Sequence, residues 1–80
     1  MAAHKVVFDS DELGQIIRRS RKAQGLTLVD AAGLCGVSVR FLSELENGRD
    51  SCGIGRILLV AQSLGLDLCL QSRNGELPSG

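Results

Sequence analysis

Near the middle of the sequence, two short helical segments are predicted on either side of a turn that contains glycine. Thr27 is a good N-cap for the first segment, which ends at Gly36, and Ser38 follows two residues later to cap the second. Asn47 and Gly48 close the second segment. These signals predict two helices, Thr27–Cys35 and Ser38–Asn47, joined by a tight turn.

A further helix is predicted on each side of this pair. The first begins after Asp9, which forms a capping-box pattern with Glu12, and it ends at Gly25. Its inner face consists of residues that recur at helical spacing: Leu13, Ile16, Ile17 and Ser20. The last helix ends at Gly65, and its amphipathic face contains Ile54, Ile57, Leu58, Ala61 and Leu64. The sequence therefore predicts a mainly α domain over residues 9–65.

After Gly65 the hydrophobic period changes from helical to alternating. Residues 66–73 are predicted to form a strand with three leucines on one face. A lone strand needs a hydrogen-bonding partner, and this chain offers little sheet for it to join. The same strand of a second copy, antiparallel by two-fold symmetry, supplies that partner. We therefore expect a homodimer whose interface includes Leu66, Leu68, Cys69, Leu70 and Gln71.

The two ends of the chain lie outside these elements. Residues 1–8 contain the β-prone stretch Lys5–Phe8 and are expected to form an arm or a short strand. Residues 74–80 contain Asn74, Gly75 and Pro78 and are expected to be a disordered tail.

The distribution of charge says more than the formal net charge, which is zero. Between residues 18 and 56, seven cations stand against four anions, and three of the compensating acids precede them. The chain can therefore present a basic face, although its low total charge predicts a shallow salt dependence of binding to a polyanion. Two Phe, no Trp and no Tyr argue against an aromatic stacking platform for single-stranded nucleic acid.

The sequence does not indicate a metal site or a catalytic site. The three cysteines are widely spaced and only one histidine is present, so we expect free thiols in a reducing cytoplasm. No nucleophile has a nearby base, and no glycine-rich loop is suited to cradle a phosphate. We therefore expect no enzymatic activity and no cofactor. The lack of a long apolar run or a signal-peptide pattern predicts a cytoplasmic protein that does not contact a membrane.

The two short helices and their turn match the helix-turn-helix pattern. The motifs that make the match more specific are Leu13–Arg18, Gly25–Thr27, Ala32, Gly36–Ser38 and Phe41–Gly48. In these motifs the sequence resembles the Xre/Cro family, which includes the lambdoid phage repressors, over about residues 13–66. The resemblance implies a lambda-repressor-like domain of four to five helices. It also implies a dimer that binds double-stranded DNA at a pseudo-palindromic operator.

Within that family the chain is similar to the HipB-like antitoxins. These have four helices followed by a short hydrophobic strand, here Leu66–Arg73, and the segment Arg40–Glu46 is also HipB-like. The resemblance implies that the protein represses its own operon and binds a HipA-like kinase toxin. Two alternatives stay open: an Xre-type regulator without a toxin, such as a phage or mobile-element repressor, and an interaction module that mainly neutralises a partner protein. An exposed Leu28-Val29 pair would favour the interaction module.

By alignment with the family, the residues placed against base edges in the major groove are Ser38, Val39, Arg40, Ser43 and Glu44. Arg40 is the strongest candidate because a guanidinium can bond guanine O6 and N7 together, but a phosphate contact fits it equally well. Glu44 can accept from a cytosine amino group, or it can lie on a solvated face or orient a neighbouring arginine. Val39 can touch a thymine methyl group or pack against the turn.

The same resemblance assigns phosphate contacts to Thr27, Ser38, Asn47 and Arg49. The family usually has Gln directly after the Thr that caps the second helix, and here Leu28 stands in its place. The contact that Gln makes to the DNA backbone is therefore missing. Part of the operator affinity is expected to come from Arg18, Arg40 or Arg49 instead.

Three further residues concern the fold. Arg21 and Glu46 match a pair that forms a largely buried salt bridge between the first and third helices in phage repressors of this family. Gly33 lies in the middle of the second helix, where glycine costs about 1 kcal/mol relative to alanine. Close packing against a neighbouring helix is the expected reason for this glycine.

Overall fold

The computed structural model describes residues 6–72 of the chain. In this range the chain forms four α-helices: α1 (Ser10–Ala23), α2 (Leu28–Cys35), α3 (Val39–Glu46) and α4 (Ile54–Ser63). The predicted four-helix domain is therefore confirmed. None of the helices between residues 6 and 72 is long and apolar enough to cross a membrane.

Side-chain caps begin α1 and α2 where the sequence predicts them. Asp9 accepts a hydrogen bond from the Glu12 amide at 2.8 Å, and the Glu12 carboxylate accepts one from the Phe8 amide at 2.8 Å. Thr27 and Asp30 form a reciprocal capping box at the start of α2. Each cap provides an acceptor for backbone donors that have no partner inside the helix.

The hydrophobic core receives side chains from all four helices. Ile17 of α1, Ala31 of α2, Leu42 of α3 and Val60 of α4 have no exposed surface. Helix α3 packs against both α1 and α2, and α4 packs against α2. Helices α2 and α3 are therefore each packed against two other helices. This packing stabilises them, because a helix of eight residues is too short to be stable alone.

The buried face of α4 differs from the predicted one. Val60 lies in the core, together with the expected Ile57, Ala61 and Leu64, whereas Ile54 is 63% exposed and Leu58 is also exposed. Helix α4 carries apolar residues around most of its circumference, so its sequence pattern is compatible with either of two neighbouring faces being buried. Contact with α2 selects the face that contains Val60, and the prediction that Ile54 and Leu58 belong to the inward face is wrong.

Two helical glycines have opposite surroundings. A Cβ atom at Gly14 would overlap the Leu45 carbonyl oxygen and lie 2.7 Å from the Glu46 carbonyl oxygen. Gly14 therefore lets α1 approach the end of α3 closely. A Cβ atom at Gly33 would meet nothing within 4 Å. The expectation that close helix packing explains Gly33 is wrong, since this position faces open space.

The segment after α4 leaves most of its leucines in solvent. Leu66 packs against the core and its amide donates to the Ala61 carbonyl at 2.8 Å, whereas Leu68 is exposed and Leu70 is 89% exposed. Residues 66–72 form no strand within the single chain. The pairing with a second copy stays a prediction. Arg73, residues 74–80 and residues 1–5 lie outside the described residues, and Val6–Phe8 form no strand within the chain.

Candidate nucleic-acid interface

A glycine in the left-handed conformation sets the turn between α2 and α3. Gly36 has φ 73° and ψ 31°, which residues with a Cβ atom rarely adopt. The Val37 amide then donates to the Ala32 carbonyl at 3.1 Å. Ser38 caps α3 by accepting a hydrogen bond from the Phe41 amide at 3.0 Å. Backbone and cap hydrogen bonds together therefore fix the direction of α3 relative to α2.

Helix α3 has one buried face and one exposed face. Leu42, Leu45 and Glu46 are buried, whereas Val39 and Arg40 at the N-terminal end are exposed. The Arg40 side chain is 87% exposed. The N-terminal residues of such a helix are the ones that reach base edges when the helix enters a major groove. Val39 and Arg40 are therefore the residues of α3 that are most open to contact with another molecule.

One carboxylate connects two of the predicted contact residues. Oε2 of Glu44 lies 3.5 Å from Nε of Arg40 and 3.2 Å from Nη1 of Arg49. Nε of Arg49 also lies 3.4 Å from the Ser51 hydroxyl oxygen. Glu44 thus faces cations on both sides, which is the arrangement of a residue that orients neighbouring arginines.

The polar groups at the end of α3 bind one another. The Asn47 side-chain amide donates to the Ser43 carbonyl at 2.8 Å and lies 3.5 Å from the Ser43 hydroxyl oxygen. The Ser43 carbonyl also accepts from the Asn47 backbone amide at 3.1 Å, so both the backbone and the side chain of Asn47 bind the last turn of α3. These contacts hold Ser43 and Asn47 together on the face that carries Arg40.

Leu28 packs against the core and is half-buried, whereas the next residue, Val29, is exposed. The pair Leu28-Val29 is therefore only partly exposed. Beside Leu28 lies a small cavity of about 210 Å³ at the junction of α1, α2 and α3. Arg18 lines this cavity together with Ser43 and Asn47, so it brings an α1 cation to the edge of the same surface.

Behind this surface, Arg21 of α1 and Glu46 of α3 form a buried, bidentate ion pair. Their Nε–Oε2 and Nη2–Oε1 distances are 2.7 Å and 2.9 Å, and Nη1 of Arg21 donates to the Leu26 carbonyl at 2.9 Å. The side chains are only 10% and 6% exposed. Hydrogen bonding to Glu46 raises the pKa of Arg21 against the opposing effect of burial. The pair ties the first helix to the end of α3.

A feature not expected from the sequence lies at the start of α4. The guanidinium carbon of Arg56 stands 5.6 Å from the centre of the Phe41 ring, within cation–π range. The two side chains line an open groove of about 390 Å³ that also contains Glu44 and Cys52. No spacing rule links positions 41 and 56, because they lie on different helices, so only the tertiary structure reveals this contact.

The thiols differ in exposure. Cys35 is buried, Cys52 is half-buried and Cys69 is exposed, all as free thiols. Burial raises the pKa of the Cys35 and Cys52 thiols. Across residues 6–72 no group of three or more His, Cys, Asp or Glu side chains is placed to hold a metal ion.

Residues 12–73 match the model of a helix-turn-helix domain family. The chain belongs to this helix-turn-helix family. A relative from Sinorhizobium fredii (strain NBRC 101917 / NGR234), described as an uncharacterized HTH-type transcriptional regulator, y4mF, is 39% identical over 57 residues, which are 71% of this chain and 75% of that protein. The protein is thus a helix-turn-helix transcriptional regulator of the DNA-binding type.

Solved structures with the same fold include HipB. This helix-turn-helix chain matches HipB in a HipB-O4 20mer complex with TM-score 0.78 and 21% identity, covering 88% of this chain and 99% of that one. It also matches the restriction-modification controller protein C.AhdI from Aeromonas hydrophila, with TM-score 0.66 and 28% identity, covering 72% of this chain and 88% of that one. The helix-turn-helix fold of four helices that the resemblance to HipB-like proteins predicts is therefore confirmed, whereas the C-terminal strand stays a prediction.

Proposed function

We propose that this protein is a sequence-specific repressor that binds a pseudo-palindromic operator in double-stranded DNA as a homodimer. The observation that carries the proposal is the exposed N-terminal end of α3, where the capping residue Ser38 and the first two helical residues, Val39 and Arg40, face solvent. Further along the helix, Leu42, Leu45 and Glu46 are buried. In this proposal Arg40 binds a guanine edge, and Val39 contacts a thymine methyl group. Ser43 and Glu44 complete the surface that meets the bases.

Phosphate contacts surround this surface in the proposal. Thr27 and Ser38 begin α2 and α3, and the N-terminus of a helix favours an anionic group. Arg49 and Asn47 follow α3, and Arg18 lies at the edge of the same face beside Leu28. Since Leu28 is apolar, the exposed guanidinium groups carry the attraction that a polar side chain at that position would otherwise share.

The proposed dimer is supported by the apolar surface around α4 and the segment after it. Ile54, Leu58 and Leu59 of α4 are exposed, as are Leu68 and Leu70. A chain of this size rarely leaves so many large apolar side chains in solvent unless they meet a partner. Antiparallel pairing of residues 66–73 between two copies would cover the leucines and provide hydrogen-bond partners for the strand. The interface would then include Leu66, Leu68, Cys69, Leu70 and Gln71.

We further propose that the repressor is the antitoxin of a HipA-like kinase and regulates its own operon. The support is the fold shared with HipB over nearly the whole of both chains. Val29 and Leu34 of α2 are exposed apolar residues that the proposed DNA and dimer contacts do not use, and they offer surface to a protein partner. The alternative, a regulator without a toxin, is supported by the match to the restriction-modification controller protein C.AhdI, whose sequence identity is higher, 28%, although its TM-score is lower, 0.66.

The Arg40→Ala variant tests whether operator binding and capture of a kinase-like partner use different surfaces of the protein. Loss of a bidentate contact to guanine costs about 1–3 kcal/mol, so operator affinity should fall about 5- to 150-fold. Arg19→Ala is the matched control, because Arg19 is an exposed α1 cation whose only partner within residues 6–72 is Gln15. Capture of a co-expressed kinase-like protein should persist in both variants. Equal losses of operator binding in the two variants would contradict a base contact by Arg40, and loss of kinase capture with Arg40→Ala would mean that the two functions share a surface.

A further inference from the structure

We propose that Glu44 is a positioning residue that sets the base preference of Arg40 and limits binding of the protein to unrelated DNA. This inference rests on the proposed function, because it assigns a role within the same DNA-binding surface. Its starting point is that a single carboxylate oxygen, Oε2 of Glu44, serves both Arg40 and Arg49. One carboxylate therefore forms ion pairs with two arginines on the same surface.

The three side chains differ in how far they are held. Glu44 is 30% exposed, whereas Arg40 and Arg49 are 87% and 58% exposed. Glu44 is therefore the most buried of the three side chains. The two arginines are long, exposed side chains that lose much rotamer freedom when they are ordered. Arg40 lies one helical turn before Glu44 on α3, and Arg49 reaches Glu44 from the loop after the helix. Both guanidinium groups therefore lie beside the same carboxylate oxygen on the exposed face of α3.

This geometry has two consequences for DNA binding. First, Glu44 places a negative charge within the surface that faces the phosphates, so it opposes binding to any DNA whatever its sequence. Second, it restricts the Arg40 guanidinium before binding, so a base edge that suits this orientation costs less ordering than one that does not. A Glu that read a cytosine amino group directly would act at its own base pair, independently of Arg40.

Glu44→Gln separates these roles because glutamine keeps the shape and removes the charge. The probe is a DNA duplex selected by the wild-type protein from a randomised library, compared with a scrambled duplex of the same length. The variant should bind the scrambled duplex several-fold more tightly than wild type does. The ratio of affinities for selected and scrambled DNA should fall about two- to fivefold, because the exposed Arg40–Glu44 ion pair can contribute no more than this to the orientation of Arg40.

A matched control shows whether charge alone explains these changes. Asp50→Asn raises the net charge by the same amount in the loop after α3, and Asp50 forms no ion pair with any residue between 6 and 72. This variant should bind both duplexes more tightly by the same factor and keep the affinity ratio. Glu44→Asp keeps the charge but shortens the side chain, so it should lower the affinity ratio without tightening the binding of scrambled DNA.

A double-mutant cycle decides whether Glu44 acts through Arg40. If Glu44 positions Arg40, the double variant Arg40→Ala, Glu44→Gln should discriminate between the duplexes no worse than Arg40→Ala alone. Additive losses, or a changed preference confined to a different base pair, would overturn the inference in favour of direct reading by Glu44. An affinity ratio unchanged by Glu44→Gln would also overturn it. If wild type itself selects no sequence from the library, the proposed function fails first, so the two failures are distinguishable.

Discussion

Replacing Glu46 with alanine should destabilise the protein more than any exposed substitution on the same helix. Arg21 would lose two charge-assisted hydrogen bonds, of 2.7 Å and 2.9 Å, and would keep only the Leu26 carbonyl. Its guanidinium would stay largely away from water, since the Arg21 side chain is only 10% exposed. Removing one partner of a buried ion pair costs about 3–5 kcal/mol.

That loss is large for a chain of this length. At about 0.05–0.15 kcal/mol per residue, the whole domain has a free energy of unfolding of about 4–12 kcal/mol. Each kcal/mol shifts the Tm of a domain this small by about 4–8 °C. The Glu46→Ala variant should therefore melt at least about 12 °C below wild type, as measured by circular dichroism at 222 nm.

The matched control is Glu44→Ala, which removes the same side chain from the same helix. Its ion pairs with Arg40 and Arg49 are exposed and screened by solvent, so their loss costs about 0–1 kcal/mol. A Glu46→Ala variant that melts within a few degrees of this control would refute the reasoning. The apolar double variant Arg21→Met, Glu46→Leu should recover much of the lost stability, because it leaves no unpaired charge in the core.

Three further predictions concern packing, protonation and assembly. Gly14→Ala should lower the free energy of unfolding by about 1–3 kcal/mol, because its Cβ atom would overlap the end of α3. Gly33→Ala should raise the free energy of unfolding by about 0.5–1 kcal/mol, because its Cβ atom meets open space. Chemical denaturation of both variants measures these changes, and changes of the same sign would contradict the prediction. Burial raises the pKa of the Cys35 thiol above its ordinary value of about 8.5, so the folded state favours the neutral thiol and stability should fall as pH rises above that value. Cys35→Ala should remove this part of the slope in denaturation curves recorded from pH 8 to 10, and an unchanged slope would show that Cys35 does not cause it. Leu68→Lys should convert the proposed dimer into a monomer in light scattering, since it places a charge in the shared strand, and a variant of dimer mass would refute strand pairing as the contact.

Much of the fold follows from local signals in the sequence. Thr27 and Ser38 predict the starts of α2 and α3 because a hydroxyl group at that position caps free amides. Gly36 predicts the turn because the backbone there adopts positive φ. These features depend on residues close in sequence, so the chain itself carries them.

The features that the sequence did not predict depend on distant neighbours. The inward face of α4 is chosen by its contact with α2, and apolar residues on several sides of the helix leave the choice open until α2 is in place. The contact of Arg56 with Phe41 joins two helices with no shared spacing. The open surroundings of Gly33 likewise show only when the helices are assembled.

The candidate site, like the fold, was predicted only in part from the sequence. The resemblance to known helix-turn-helix proteins picked out Arg40, Glu44 and Arg49 by alignment. It did not show that Glu44 meets both arginines, because Arg49 lies beyond the end of α3 in a loop whose path cannot be read from spacing. Which residues share a surface follows from the sequence pattern, but which of them bind each other follows only from the fold.

The most direct test of the central proposal is fluorescence-anisotropy titration of the protein against its own promoter DNA at fixed, moderate salt, with scrambled DNA as competitor. A sequence-specific repressor should prefer the promoter by about 10³-fold or more. Equal displacement by scrambled DNA would contradict the proposal, because only sequence-independent attraction to phosphates would then remain.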